Sequence, residues 1–261
     1  MFLAYCCGLQ VFPRSIPRRN FSCGSKSVRY SRKSKVPWKP PARHWPDRPE
    51  VVAGLDVEAG GSWLGVNDAG VVAAMLNRHG TLGRAKGFRS RGELVLEALD
   101  HADAAEAARA LKHLVPGTYR PFNMIIADNR DAFWLRHADP TGTFGLAVKP
   151  IGEGLSMLTA GELDDAEVSR IRRYRPRFAK AKAPDPDRNE FRDWQALLED
   201  REATPEDGPT GAMRFTTETG FGTVSSSLLA LAKPGHGERH WRLRFASWAP
   251  KVEGWKEILP R

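Results

Sequence analysis

The apolar positions from residue 37 onward fall into short runs separated by turn chemistry. Residues 63–67 and 71–76 flank Asp68-Ala69-Gly70, which predicts a β-hairpin. The second run, VVAAML, is continuously apolar, as expected of a strand buried on both faces. Ser90 and Glu93 form a capping-box pattern before Leu94, Val95, Ala98 and Leu99, which share one helical face. Asp103 and Glu106 open a second helix with Ala107, Leu111 and Leu114 inward, and Pro116-Gly117 ends it. Residues 122–127 and 132–136 flank Asp128-Asn129-Arg130-Asp131, a second hairpin. Residues 146–148 and 155–159 extend the β set.

Asp164-Asp165 then open a helix carrying Val168, Ile171, Tyr174 and Phe178, with Pro176 placed to kink or end it. Phe191, Trp194, Leu197 and Leu198 mark a further helix between the loops 183–188 and 201–211, and residues 212–216, 224–231 and 240–245 return to strand. The proline-dense stretch 37–50 is excluded from helix and from a central strand. Strands, then helices, then strands predict an α+β layered domain, with no internal repeat.

The length of 261 residues suits one large domain or at most two small ones. With 41% hydrophobic and 27% charged residues, a wholly disordered chain is excluded. No run of 18 uncharged apolar residues exists, so no membrane-spanning helix is expected. The net charge of +9 looks like a nucleic-acid signal until its distribution is read. Residues 1–46 hold ten Lys or Arg and no Asp or Glu, and the rest of the chain is nearly neutral. All three cysteines, Cys6, Cys7 and Cys23, lie in the same segment and are too few for a disulfide framework.

Three readings of that segment stay open: an arm for phosphates or an anionic membrane, a mitochondrial transit peptide, or a replaced beginning from a shifted frame or mis-placed start. The division is therefore an atypical basic segment, residues 1–36, expected to be disordered or such an artefact, and a domain over 37–261. The expected setting is cytoplasmic, or mitochondrial if the segment is a transit peptide.

Most candidate motifs reduce to local structure. Asn129-Arg130-Asp131 groups an amide, a cation and a carboxylate, but a polar hairpin turn favours the same residues. His236 and His240 bracket Glu238, but Pro234, Gly235 and Gly237 oppose the helix that a zinc site would need. His79, His101, His113 and His137 lack ligand spacing, so no metal is expected. Gly220-Phe221-Gly222 lacks the third glycine of a dinucleotide loop, and Ser225-Ser226-Ser227 is no nucleophile elbow. Gly60-Gly61 before Trp63 permits close backbone approach or a bulge. Asn77 ends a buried strand, either as a satisfied strand-end amide or as a donor to a developing oxyanion.

Taken together, HWPDRPEVVAGLDVEAGGSWLGVNDAGVVAAMLNRHG (44–80), SRGELV (90–95), FNMIIAD (122–128), GLSMLTAGELDD (154–165) and GFGTVSSSL (220–228) resemble the NRDE protein family, also called the transport and Golgi organization protein 2 family. The resemblance covers about residues 37–250. It implies a four-layer α/β/β/α sandwich of N-terminal-nucleophile hydrolase type, in the branch of choloylglycine hydrolase and penicillin V acylase. There an N-terminal cysteine attacks a linear amide and its own α-amino group takes the proton. The resemblance aligns Asn77 with the asparagine that helps hold the oxyanion.

The departures are specific. Position 2 is Phe2, no Asn-Arg-Asp-Glu precedes Trp38, and Asn129-Arg130-Asp131-Ala132 lies in a different hairpin. Eukaryotic relatives carry an arginine where Val224 stands and an asparagine near Met157. The family's first strands are thus expected to be missing or replaced, the nucleophile is unassigned, and the chain as written is expected to be poorly soluble or inactive. The implied function is an ancestrally amide-hydrolysing fold lacking its nucleophile. The alternative is a non-enzymatic protein handling haem or an acyl-lipid, linked to Golgi organization and haem trafficking. The expected partner is a small amide, haem or lipid, with no resident cofactor and no nucleic acid.

Overall fold

The computed structural model describes residues 2–3, 37–81, 83, 85–139, 141, 146–218, 220, 222–232 and 241–260. The basic segment other than Phe2 and Leu3 therefore lies outside the described residues, as do Cys6, Cys7, Cys23, Phe221, His236, Glu238 and His240.

Among the described residues the strands form two antiparallel sheets. The larger has seven strands in sequence order: β2 (Trp38–Ala42), β3 (Val51–Asp56), β4 (Leu64–Asn67), β5 (Val72–Asn77), β6 (Phe122–Ala127), β7 (Ala132–His137) and β8 (Leu146–Pro150). The smaller runs β1 (Phe2–Leu3), β9 (Ser225–Leu231), β10 (Trp241–Ser247), β11 (Glu253–Ile258), with Phe2 opposite Ala230. The helices are α1 (Gly92–Leu99), α2 (Ala104–Leu111), α3 (Ser169–Lys180) and α4 (Arg192–Glu199).

Strand alternation sorts the core into three slabs. Val51, Ala73, Met124 and Ile126 face Leu94 and Leu99 of α1 and Leu111 of α2. The opposite face of the large sheet, with Leu64, Val72, Ile125 and Trp134, meets Leu229, Trp241 and Leu243 of the small sheet. The outer face of the small sheet, through Leu228 and Ala230, meets Ile171, Tyr174, Phe178 and Trp194 of α3 and α4. The layer order is therefore α/β/β/α, as the resemblance implied. Each fully buried Leu in these slabs contributes about 2 kcal/mol of transfer free energy, so the core rests on many such residues rather than one.

Several expected elements form as read. Residues 37–50 supply only the edge strand β2, whose pairing with β3 is irregular between Lys39 and Ala42, where Pro40 and Pro41 cannot donate. Gly70 (φ 88°) closes the β4–β5 turn. Gly61 sits so near Gly92 that a side-chain carbon there would lie 2.5 Å from the Gly92 carbonyl carbon, so the close-approach reading of Gly60-Gly61 holds at Gly61. Asp103 caps α2, accepting from the Glu106 N–H at 2.7 Å.

Other elements differ. In α1 the Ser90 hydroxyl accepts from the Gly92 N–H at 3.3 Å, while Glu93 turns to the Tyr119 hydroxyl (2.5 Å) and Arg89 (2.7 Å) instead of reaching back to complete a capping box. Helix α3 begins at Ser169, not Asp164, because Asp164 adopts φ 55° in a closed loop described below. Pro176 sits inside α3 on its exposed side, so the helix continues through it without burying the carbonyl that the ring leaves without an N–H. Residues 155–159 are not strand, residues 212–216 form only a turn and an isolated bridge, and β3 and β11 are additional strands.

Candidate functional site

The sequence points to the end of β5, and there the structure gathers a polar network against the loop that follows β8. Strands β5 and β6 place Leu76 opposite Asn123 and Asn77 opposite Phe122. Leu76 belongs to the slab between the sheets, and Phe122 to the slab under α1 and α2. Asn77 thus ends its strand in register with the helix-facing positions, half-buried, with no hydrogen bond to its carboxamide among the described residues.

Asn123 faces the other way and is completely buried. Its Oδ1 accepts from Arg78 Nη1 at 2.8 Å and Trp134 Nε1 at 3.2 Å. Its Nδ2 donates to the carbonyls of Thr159 at 3.0 Å and Gly161 at 2.7 Å. All four hydrogen-bonding positions of the carboxamide are filled, which is what makes a polar group tolerable at this depth. Arg78 Nη1 also donates to the Gly161 carbonyl at 3.0 Å, and the His79 N–H donates to the Ala160 carbonyl at 3.2 Å.

The loop itself is closed by a pair of bonds. The Asp164 N–H donates to the Met157 carbonyl at 2.8 Å, and the Met157 N–H donates to Asp164 Oδ1 at 2.7 Å. A left-handed Asp is acceptable here because its short polar side chain bonds locally.

Glu162 lies between two arginines: Arg78 Nη2 reaches Oε1 at 2.5 Å, and Arg136 Nε reaches Oε1 at 2.8 Å and Oε2 at 2.7 Å. Burial alone would raise the Glu162 carboxyl, but the hydrogen bonds from Arg136 and Arg78 outweigh it and hold the group below the usual carboxylate range. On the far side of the turn, Arg91 Nη1 donates to Thr81 Oγ1 at 3.1 Å and the Pro121 carbonyl at 2.9 Å. Burial, together with neighbouring Arg120, pushes the Arg91 guanidinium down to about 10. The turn after Asn77 is therefore held from both sides by cations.

A depressed Glu162 pKa stabilises the fold at pH values above the ordinary carboxylate value, and that contribution fades as pH falls through the lower, folded value. The pair is partly open to solvent, so the effect is screened. The melting temperatures of wild type and Glu162→Gln are expected to differ at pH 7 and converge as pH drops below about 4. A difference that persists unchanged to pH 3 would contradict the ion-pair account.

The Asn129-Arg130-Asp131 motif takes its bland reading. Asp128 Oδ1 accepts from the N–H groups of Arg130 (2.7 Å) and Asp131 (2.9 Å), so Asn129-Arg130-Asp131 is a hairpin turn wound on Asp128. Gly222 makes an isolated bridge with Thr216. Among the described residues no cluster of three His, Cys, Asp or Glu side chains could hold a metal, and no helix is long and apolar enough to cross a membrane. Asn123, Arg136 and Glu162 were not anticipated. The available signal was Asn123 itself, the polar residue inside the apolar strand FNMIIA.

The fold and this network define an α/β/β/α sandwich with a polar, arginine-rich end where the connection after β8 crosses the large sheet. Residues 30–238 match the family described as Transport and Golgi organisation 2, and the chain belongs to that family. Comparison with curated proteins gives no match. Among solved structures, penicillin V acylase from Agrobacterium tumefaciens is similar at 14% identity and a TM-score of 0.45, covering 80% of this chain and 69% of its own. A variant of conjugated bile acid hydrolase from Clostridium perfringens is similar at 12% identity and a TM-score of 0.45, covering 80% and 76%.

Proposed function

We propose that this chain is a ligand-binding member of a family built on an amide-hydrolase scaffold, which takes up a small amide-bearing molecule without cleaving it. The family resemblance supplies the amide class. The observation that carries the second half is that residues 37–261 contain no cysteine, while the polar side chains gathered at the end of the sandwich are bonded to one another and to their loop. Arg78, Asn123, Arg136 and Glu162 hold structure and present no nucleophile paired with a base. Asn77, whose carboxamide is unengaged by described residues, is the proposed donor to the ligand's carbonyl oxygen.

The test is amine release from the purified chain incubated with the p-nitroanilide of 4-phenylbutanoic acid, run beside labelling with a thiol-specific reagent. The expected result is no nitroaniline above the buffer rate, before or after the cysteines are blocked. Turnover that disappears on thiol labelling would reverse the proposal and make the chain a cysteine hydrolase.

A further inference from the structure

On the outer side of the small sheet, two tryptophans and two arginines meet where β10 ends. Trp255 of β11 packs against the slab under α3 and α4. Trp248, the first residue past β10, stands beside it edge to face, with ring centroids 6.1 Å apart. Trp248 is 9% exposed, and its Nε1 donates to Ser226 Oγ at 2.8 Å, which fixes the ring. The guanidinium carbon of Arg214 lies 3.9 Å from the centroid of the Trp248 ring. At that separation the planar cation rests against the ring, and its N–H groups are held in one orientation. Arg214 is half-buried, and its backbone N–H donates to the Asp200 carbonyl at 2.9 Å, which brings the exposed Arg201 alongside.

The nearby acids are committed to other partners. Asp200 takes Arg177 and the Tyr174 hydroxyl, Glu202 takes Arg173 at 3.5 Å, and Asp207 takes Arg172 at 3.8 Å. Glu199, the carboxylate whose charge reaches Arg214, accepts from Trp255 Nε1 at 2.5 Å instead. Among the described residues, neither Arg214 nor Arg201 has a side-chain hydrogen bond or an ion pair. Burial, with Arg201 close by, pushes the Arg214 guanidinium below its ordinary range, and Glu199 opposes this only in part. An incoming anion would relieve both the desolvation and the repulsion between the two cations.

We infer that Arg214 and Arg201 form a binding site for a phosphate group, with the Trp248 ring as its floor. The choice among anions follows from the donors. One guanidinium fork fills both oxygens of a carboxylate, whereas two guanidinium groups from different chain segments suit the tetrahedral oxygens of a phosphate. The phosphate is either free or carried by a small organic molecule. The site is independent of the amide reading above, because Asn77 stands in register with the positions facing α1 and α2, on the far side of the large sheet.

The experiment titrates the full chain with sodium phosphate near neutral pH, with sodium chloride at matched ionic strength as the control. Two readouts are followed: the melting temperature, and the rate at which p-hydroxyphenylglyoxal labels Arg214, mapped by peptide mass spectrometry. Phosphate is expected to raise the melting temperature saturably and to protect Arg214 from labelling, and chloride to do neither. Arg214→Gln is expected to weaken phosphate binding about ten-fold, and Arg201→Gln about three-fold. Arg201 is exposed, so its variant keeps the test open should Arg214→Gln fail to fold. Phenyl phosphate separates the two sources: tighter binding than inorganic phosphate assigns the site to an organic phosphate, and equal binding to the free ion, and both support the inference. A side chain that only packs on Trp248 would be labelled at a rate that phosphate leaves unchanged. That result, or an equal phosphate response in the wild type and both variants, overturns the inference.

Discussion

Asn123→Leu is expected to lower the stability of the fold by about 3–5 kcal/mol, equivalent to a fall of roughly 10 °C in melting temperature for a domain of this size. Leucine matches asparagine in shape, so the loss isolates the polar interactions. Four bonds are lost at once: the Trp134 indole N–H and the Thr159 carbonyl lose the partner shown for them, while Arg78 and the Gly161 carbonyl each lose one bond and keep the one between them. An orphaned buried donor or acceptor, such as the Trp134 N–H, costs its full desolvation. The network links β5, β6, β7 and the loop after β8, so the loop should also become susceptible to proteolysis around residues 155–163. Urea denaturation measures the first effect. A loss of less than about 1 kcal/mol would mean that the four bonds are individually dispensable.

Trp241→Ala is expected to cost about 3–5 kcal/mol, and Trp241→Phe only about 1–2 kcal/mol. Trp241 is 1% exposed in the slab between the sheets, directly opposite Leu231. Its alanine variant opens a cavity where both sheets must stay in contact. The phenylalanine variant keeps most of the volume, and the indole N–H it removes has no hydrogen-bond partner among the described residues. Thermal melts of the two variants check the contrast. Equal losses would show that the N–H, not the ring, holds Trp241 in place.

How far the sequence led depends on how local each cause is. The β6–β7 hairpin was legible because Asp128 winds its own turn, and α2 because Asp103 caps it three residues away. The strand β3 was not, because VVAGLD carries Gly54, whose missing side chain looks like a strand breaker. The structure shows the Trp63 ring lying on that glycine. The strand β11, EGWKEI, hides its register behind charges that suit an exposed edge. The start of α3 moved because Asp164 is tied back to Met157, seven residues earlier, and no helix signal encodes that.

The candidate site divides the same way. Asn77 was visible as a polar residue closing an apolar strand. Asn123 had the same signature in FNMIIA, yet its meaning depends on Gly161, which is 38 positions away, and on Arg78, which is 45 positions away. Partners at such separations are set by the sheet order and not by any spacing in the chain.

The most direct measurement is the intact mass of the full chain after incubation with the p-nitroanilide of 4-phenylbutanoic acid and rapid acid quenching. The account predicts an unmodified mass at every time point, since ligand uptake leaves no covalent trace. A gain equal to the acyl group, mapped to one of the three cysteines, would contradict it.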